Sequence, residues 1–100
     1  MMMQMEETTK PMLSANYKDR FIAEYVQTKI RYERLKAFNV KIEAAHRTAH
    51  LADKEGAIVV AMPPHDCPDH LLLDQQRVMG DYLHTLEVRA VIEGIDLSSL

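Results

Sequence analysis

Chain breakers are scarce in this sequence, with only three glycines and four prolines in 100 residues. Glycine and proline are the residues that most often stop a helix, so the two long segments between breakers read as helices. The first starts near Ser14 or Asn16, either of which can cap orphan backbone N–H groups. It runs through YKDRFIAEYVQTKIRYERLKAF to about Asn39, and the following KIEAAHRTAHLADKE either continues or restarts it before Gly56. The second starts around Pro68, a good first-turn residue, after Asp66 or Cys67 and with Asp69 at the positive helix end. It ends near Glu93, where Gly94 supplies the stop. Between them the short apolar run AIVVAM, closed by Pro63 and Pro64, reads as a loop or a lone strand. The expected fold class is therefore all-α: a long antiparallel helical hairpin with a variable middle segment, assembling as a helical homo-oligomer. Residues 1–13 are expected to be a disordered leader and 14–100 a single helical domain. Within it, helices fall at about 16–39 and 68–93, around a variable middle at 40–67.

The expectation of self-association comes from helical arcs. At 100° per residue, Tyr17, Phe21, Tyr25, Thr28, Tyr32 and Leu35 share one side of the first helix. Ile22, Ala23, Val26, Ile30, Ala37, Val40 and Ala44 form a second, roughly opposite arc. The second helix carries a broad arc of Leu71, Leu72, Val78, Met79, Tyr82, Leu83, Leu86 and Ala90. It has a lesser one of Leu73, Val88, Val91, Ile92 and Ile95. Two helices need one apolar face each, so surplus faces call for other copies of the chain. A domain this small also buries only about 60–65% of its unfolded surface, and assembly is a usual remedy. The Ile22, Val26, Ile30 face is the expected interface.

Charge is uneven. Residues 16–53 carry eight Lys/Arg against five Asp/Glu, whereas residues 54–100 carry three against eight. A basic segment beside an acidic one favours self-association or an anionic ligand. Duplex DNA is not expected, because its binders are basic overall and this chain has net charge −3. Cys67 is the lone cysteine, which excludes an intrachain disulfide and fits a reducing compartment. No apolar run approaches the roughly 20 residues of a membrane span, so no membrane association is expected.

Three constellations bear on chemistry. His65, Cys67 and His70 could offer three zinc ligands, but their spacing matches no usual paired-ligand pattern, and no metal is expected there. His46 and His50 share a helix face at i, i+4, yet Arg47 follows His46 where a zinc protease motif needs glutamate. They read as two solvated histidines. No nucleophile elbow, phosphate loop or paired-carboxylate site occurs, so neither an enzyme nor a cofactor is expected. The remaining signal is Tyr17, Tyr25 and Tyr32 on or beside a stripe of Lys18, Lys29, Lys36 and Arg47. Aromatic rings stack bases and cations hold phosphates, the pairing a small nucleotide ligand requires.

The stretches Arg20-F-I-A-Glu24, then Leu35-K-A-Phe38, and later Leu72-L-D-Q-Q-Arg77-V-Met79-G-D-Tyr82-L-H-T-Leu86-E-V-Arg89 resemble a family of small phage-encoded helical proteins. Its pattern is R-V-x-x-E, K-I-x-K-L-x-x-F and L-x-x-Q-x-x-x-M-x-x-Y-x-x-x-L-x-x-R. The family includes the anti-CBASS sponge proteins, helical homohexamers that sequester the cyclic di- and trinucleotides of a bacterial defence system. The likeness covers residues 16–38 and 69–92. It implies structural roles for Arg20, Glu24, Leu35, Phe38, Met79, Tyr82 and Leu86. It implies base stacking by Tyr17 and phosphate contacts from Arg31, Arg34 and Arg77, with Lys29 the alternative if the register slips; Lys18, beside Tyr17 on the basic stripe, is a further expected ligand contact. It further implies a homohexamer acting in the cytoplasm of a bacterial host on a cyclic oligonucleotide ligand. The competing expectation is a helical homo-oligomer that binds a host or phage protein through an apolar helix face.

Overall fold

A computed structural model describes residues 16–98. The expected leader and the Ser14 cap lie outside these residues. Helix α1 spans Tyr17–Thr48 and helix α2 spans Asp69–Glu93, and a 3-10 turn at Ala49–Leu51 follows α1. No strand occurs among the described residues, and the run 57–62 is irregular. The all-helical expectation holds.

Asn16 starts α1: its Oδ1 accepts from the Lys18 and Asp19 backbone N–H groups at 2.8 and 3.3 Å. The helix does not stop near Asn39 but continues without a break to Thr48. The reason lies across the helix pair. Asn39 is buried and its Nδ2 donates across to the Leu72 carbonyl at 3.2 Å and to Gln76 Oε1 at 2.9 Å. Its side chain is engaged with α2 and does not compete for its own backbone.

Partners along the two helices run in opposite order. Tyr17 meets Glu93, Glu24 meets Tyr82, Tyr25 meets Glu87, Asn39 meets Gln76, and His46 meets Asp69. The pairing is antiparallel along nearly the whole of α2. Gly80 of α2 faces Tyr32 of α1: a Cβ there would stand 3.3 Å from the Tyr32 ring. Glycine in a helix interior costs about 1 kcal/mol against alanine, and here it makes room for that ring.

The core is Phe21, Tyr25 and Val26 of α1 against Leu83, Leu86 and Ala90 of α2. Ile95 and Leu97, just past α2, join it together with Ile22, Ile30 and Tyr32. This corrects the expected interface. Val26 is 0% exposed within one chain, and Ile22 and Ile30 pack on the same core. Much of the exposed apolar surface lies on α2, where Leu73, Val88, Val91 (82% exposed) and Ile92 (77%) face outward, while Val40 of α1 and Ile58 of the connection are exposed as well.

Gly94 makes the return of Ile95 possible. Its φ of +71° is left-handed, and both its N–H and that of Ile95 reach the Ala90 carbonyl, the latter at 2.8 Å. Nothing lies within 4 Å of a Cβ placed there, so only backbone strain opposes a side chain. Gly94→Ala should therefore lower stability by about 1 kcal/mol, read as a reduced urea midpoint at unchanged slope.

Candidate ligand site

The open end of the helix pair gathers aromatic and charged groups. Tyr17 Oη donates to Glu93 Oε1 at 2.8 Å and accepts from Arg89 Nη2 at 2.6 Å. Arg89 Nε donates to Glu93 Oε2 at 3.2 Å, and its guanidinium lies 5.2 Å from the centre of the Phe21 ring. The Tyr17 and Phe21 rings are tilted at 56° with centroids 6.2 Å apart. Tyr17 remains 47% exposed. The Glu93 carboxylate raises the Tyr17 pKa most, desolvation adds to this, and Arg89 opposes it. Glu93 is also the main cause of the raised Arg89 pKa. Tyrosine and guanidinium thus keep their protons through the neutral range, one as a neutral ring and the other as a fixed cation.

Farther along, Tyr25 is buried and donates to Glu87 Oε2 at 2.7 Å. Burial, then Glu87, pushes its pKa up to about 12. Lys29 Nζ sits 3.5 Å from the Tyr25 oxygen and 5.7 Å from its ring centre. Lys18, Arg31 and Arg34 are exposed, while Arg77 reaches Asp74 at 3.3 Å on its own helix. Tyr32 meets Gly80 and Asn39 meets Gln76, which places Arg34 and Arg77 at one level of the helix pair.

The sequence-derived residues do not converge on one point within a chain. At 1.5 Å per residue, Tyr17 and Arg34 are separated by roughly 26 Å along α1. They fall at two levels of the helix pair, Tyr17 and Lys18 at the end and Arg31, Arg34 and Arg77 at mid-rod, with Lys29 between. The sequence reading gave no ligand-site role to Arg89, Glu93 or Phe21. Arg89 closes the motif that carries the family likeness, and antiparallel pairing of the two helices would have set it near Tyr17.

A shallow groove of about 390 Å³ lies beside Tyr25, between Glu87, Val91, Ile95 and Asp96. Its charged lining is two carboxylates and no cation, the wrong sign for phosphate.

The histidines differ from expectation in one respect. His46 is not merely solvated: its Nε2 stands 2.6 Å from Asp69 Oδ2. His65 bonds to the other Asp69 oxygen, also at 2.6 Å. No group of three or more His, Cys, Asp or Glu among the described residues is arranged to hold a metal ion.

The profile of one protein family, Sequestin, matches residues 15–92, which take in both helices nearly whole. The chain belongs to the Sequestin family. That name is consistent with the likeness to the anti-CBASS sponge proteins, and the match includes the variable middle that the sequence likeness left out. No curated protein and no solved structure matches the chain. Among the described residues, no helix of this Sequestin is long and apolar enough to cross a membrane.

Proposed function

We propose that this Sequestin sequesters cyclic di- or trinucleotide second messengers without cleaving them, as a phage anti-defence protein acting in the bacterial cytoplasm. Tyr17 carries the reading. It presents a half-exposed, uncharged ring beside the Arg89 guanidinium, which rests on Phe21. A base stacks on the ring, and a phosphate takes charge-assisted hydrogen bonds from the guanidinium. Lys18, Lys29, Arg31, Arg34 and Arg77 supply further cations for the ring of phosphodiesters.

One pair of helices does not enclose such a ligand. The end residues of one copy and the mid-rod residues of another close around it, so the site exists only in a homo-oligomer, expected to be a hexamer. The exposed outer face of α2 offers the apolar surface for assembly. Calorimetry with a panel of cyclic di- and trinucleotides, followed by chromatography of the recovered ligand, tests the reading. At least one ligand should bind and return intact. No binding across the panel overturns the proposal, and recovery of linear products overturns its non-enzymatic part.

A second reading draws on the same outer face. Val91 and Ile92 are 82% and 77% exposed, more than solubility favours, and would equally suit a host or phage protein. A wild-type oligomer that still leaves Val91 and Ile92 exposed favours this alternative.

A further inference from the structure

Beyond the ligand site, the connection between the helices is held by an unusual set of contacts. His65 Nδ1 lies 2.7 Å from the Pro63 carbonyl and Nε2 lies 2.6 Å from Asp69 Oδ1. The ring edge stands against Phe38 of α1, with centroids 5.7 Å apart at 86°. The second Asp69 oxygen is 2.6 Å from His46 Nε2, near the end of α1. One carboxylate at the start of α2 thus joins the connection to α1. A separate tether, the Val60 N–H to Thr48 Oγ1 at 3.0 Å, fixes the same connection farther back.

We infer that His65, Asp69 and His46 form a proton-operated latch, which fastens residues 57–68 to both helices only while the His65 ring carries two N–H groups. Both atoms facing that ring are oxygens that only accept: a peptide carbonyl and a carboxylate. A neutral imidazole has one N–H and one lone pair. It satisfies one partner and points a lone pair at the other. The alternative of placing the proton on Asp69 is disfavoured, because a carboxylic acid is ordinarily the stronger acid by more than two pH units. His46 faces Asp69 through one nitrogen alone, so a single N–H is enough to make its contact.

The groups facing His65 are Asp66 on its own connection, Asp69 on α2 and, across Asp69, His46 on α1. The Pro63 carbonyl, then Asp69, raises the His65 pKa above the ordinary 6.5, against a smaller opposing effect of burial. His46, then His65, lowers that of Asp69. The signs set a window. A raised histidine pKa contributes stability in acid that disappears as pH rises through the folded-state value. A depressed carboxylate pKa contributes stability that disappears as pH falls through its own. The latch is closed between the two and opens on either side.

NMR on the intact protein tests this with two readouts, the titration of the His65 ring and the exchange protection factor of the Val60 amide. His65 should titrate above 6.5, and Val60 protection should fall at least several-fold as pH passes that midpoint. Asp69→Asn should lower the His65 midpoint, with helix content by circular dichroism unchanged. His65→Phe keeps a ring against Phe38 and should make Val60 protection independent of pH across the same range. A His65 midpoint at or below 6.5 overturns the latch. So does Val60 protection that is equal on both sides of the midpoint, or that keeps its wild-type pH dependence in His65→Phe.

Discussion

Val26→Asp is expected to unfold the chain, while Ile92→Asp leaves each chain folded and lowers only its state of assembly. Both put a carboxylate in place of an aliphatic side chain, and the difference lies in where each points. Val26 is fully enclosed by its own chain, so the carboxylate would be buried without a partner. An uncompensated buried charge costs about 4 kcal/mol or more, a large part of the 5–15 kcal/mol that holds a typical domain together. Circular dichroism should show most of the helix lost. Ile92 is 77% exposed in one chain, and a surface change of this kind alters stability by about 0.5 kcal/mol or less. Sedimentation of Ile92→Asp should show smaller species than the wild type at micromolar concentration. An Ile92→Asp protein that sediments like a wild-type oligomer would place the assembly face elsewhere.

Tyr17→Ala should weaken cyclic-nucleotide binding about 10-fold or more. A base stacked on an aromatic ring contributes ~1–3 kcal/mol, and 1.4 kcal/mol is already a factor of ten. The mutation also removes the hydroxyl held by Glu93 and Arg89, so Tyr17→Phe separates the two contributions. The ring-retaining variant should bind within a few-fold of wild type. Arg34→Ala should act through charge: weaker binding, together with a shallower dependence of affinity on salt. Arg34 lies far from Tyr17 on the same helix, so loss of affinity in both variants would also support a site shared between copies. If both bind like wild type, the sequestration reading falls and the protein-binding reading replaces it.

Both helices were legible because the residues that make and stop them act locally. Asn16 reaches its own backbone two and three residues on, and Gly94 needs only its own left-handed φ. The roles of the faces were not legible. Angular position shows that Val26 and Phe21 lie on different arcs, but not which neighbour covers each. Ile95 and Leu97 join the core beside Val26 after the turn at Gly94, a packing decision with no periodic signature. The Tyr17–Arg89 contact joins residues 72 positions apart, and the His46–Asp69 contact joins residues 23 apart. Each depends on the register of the helix pair, which Asn39, Gly80 and Tyr32 help to set across the interface. Single-helix patterns do not contain that information.

Antiparallel pairing also orders the steps by which the chain folds. The His46–Asp69 contact closes a loop of 23 residues, and the Tyr17–Glu93 contact closes one of 76. Loop-closure entropy rises as three-halves RT times the logarithm of length, so the longer closure costs about 1 kcal/mol more if made first. The favoured route zips from the connection outward and reaches Tyr17 last. Opening follows packing instead: the core of Phe21, Tyr25, Val26, Leu83, Leu86 and Ala90 lies toward the Tyr17 end, so amides beside it should exchange behind those of the connection. A ligand gripped at Tyr17 would clamp the first turn of α1 onto that core, slowing exchange beyond the residues it touches.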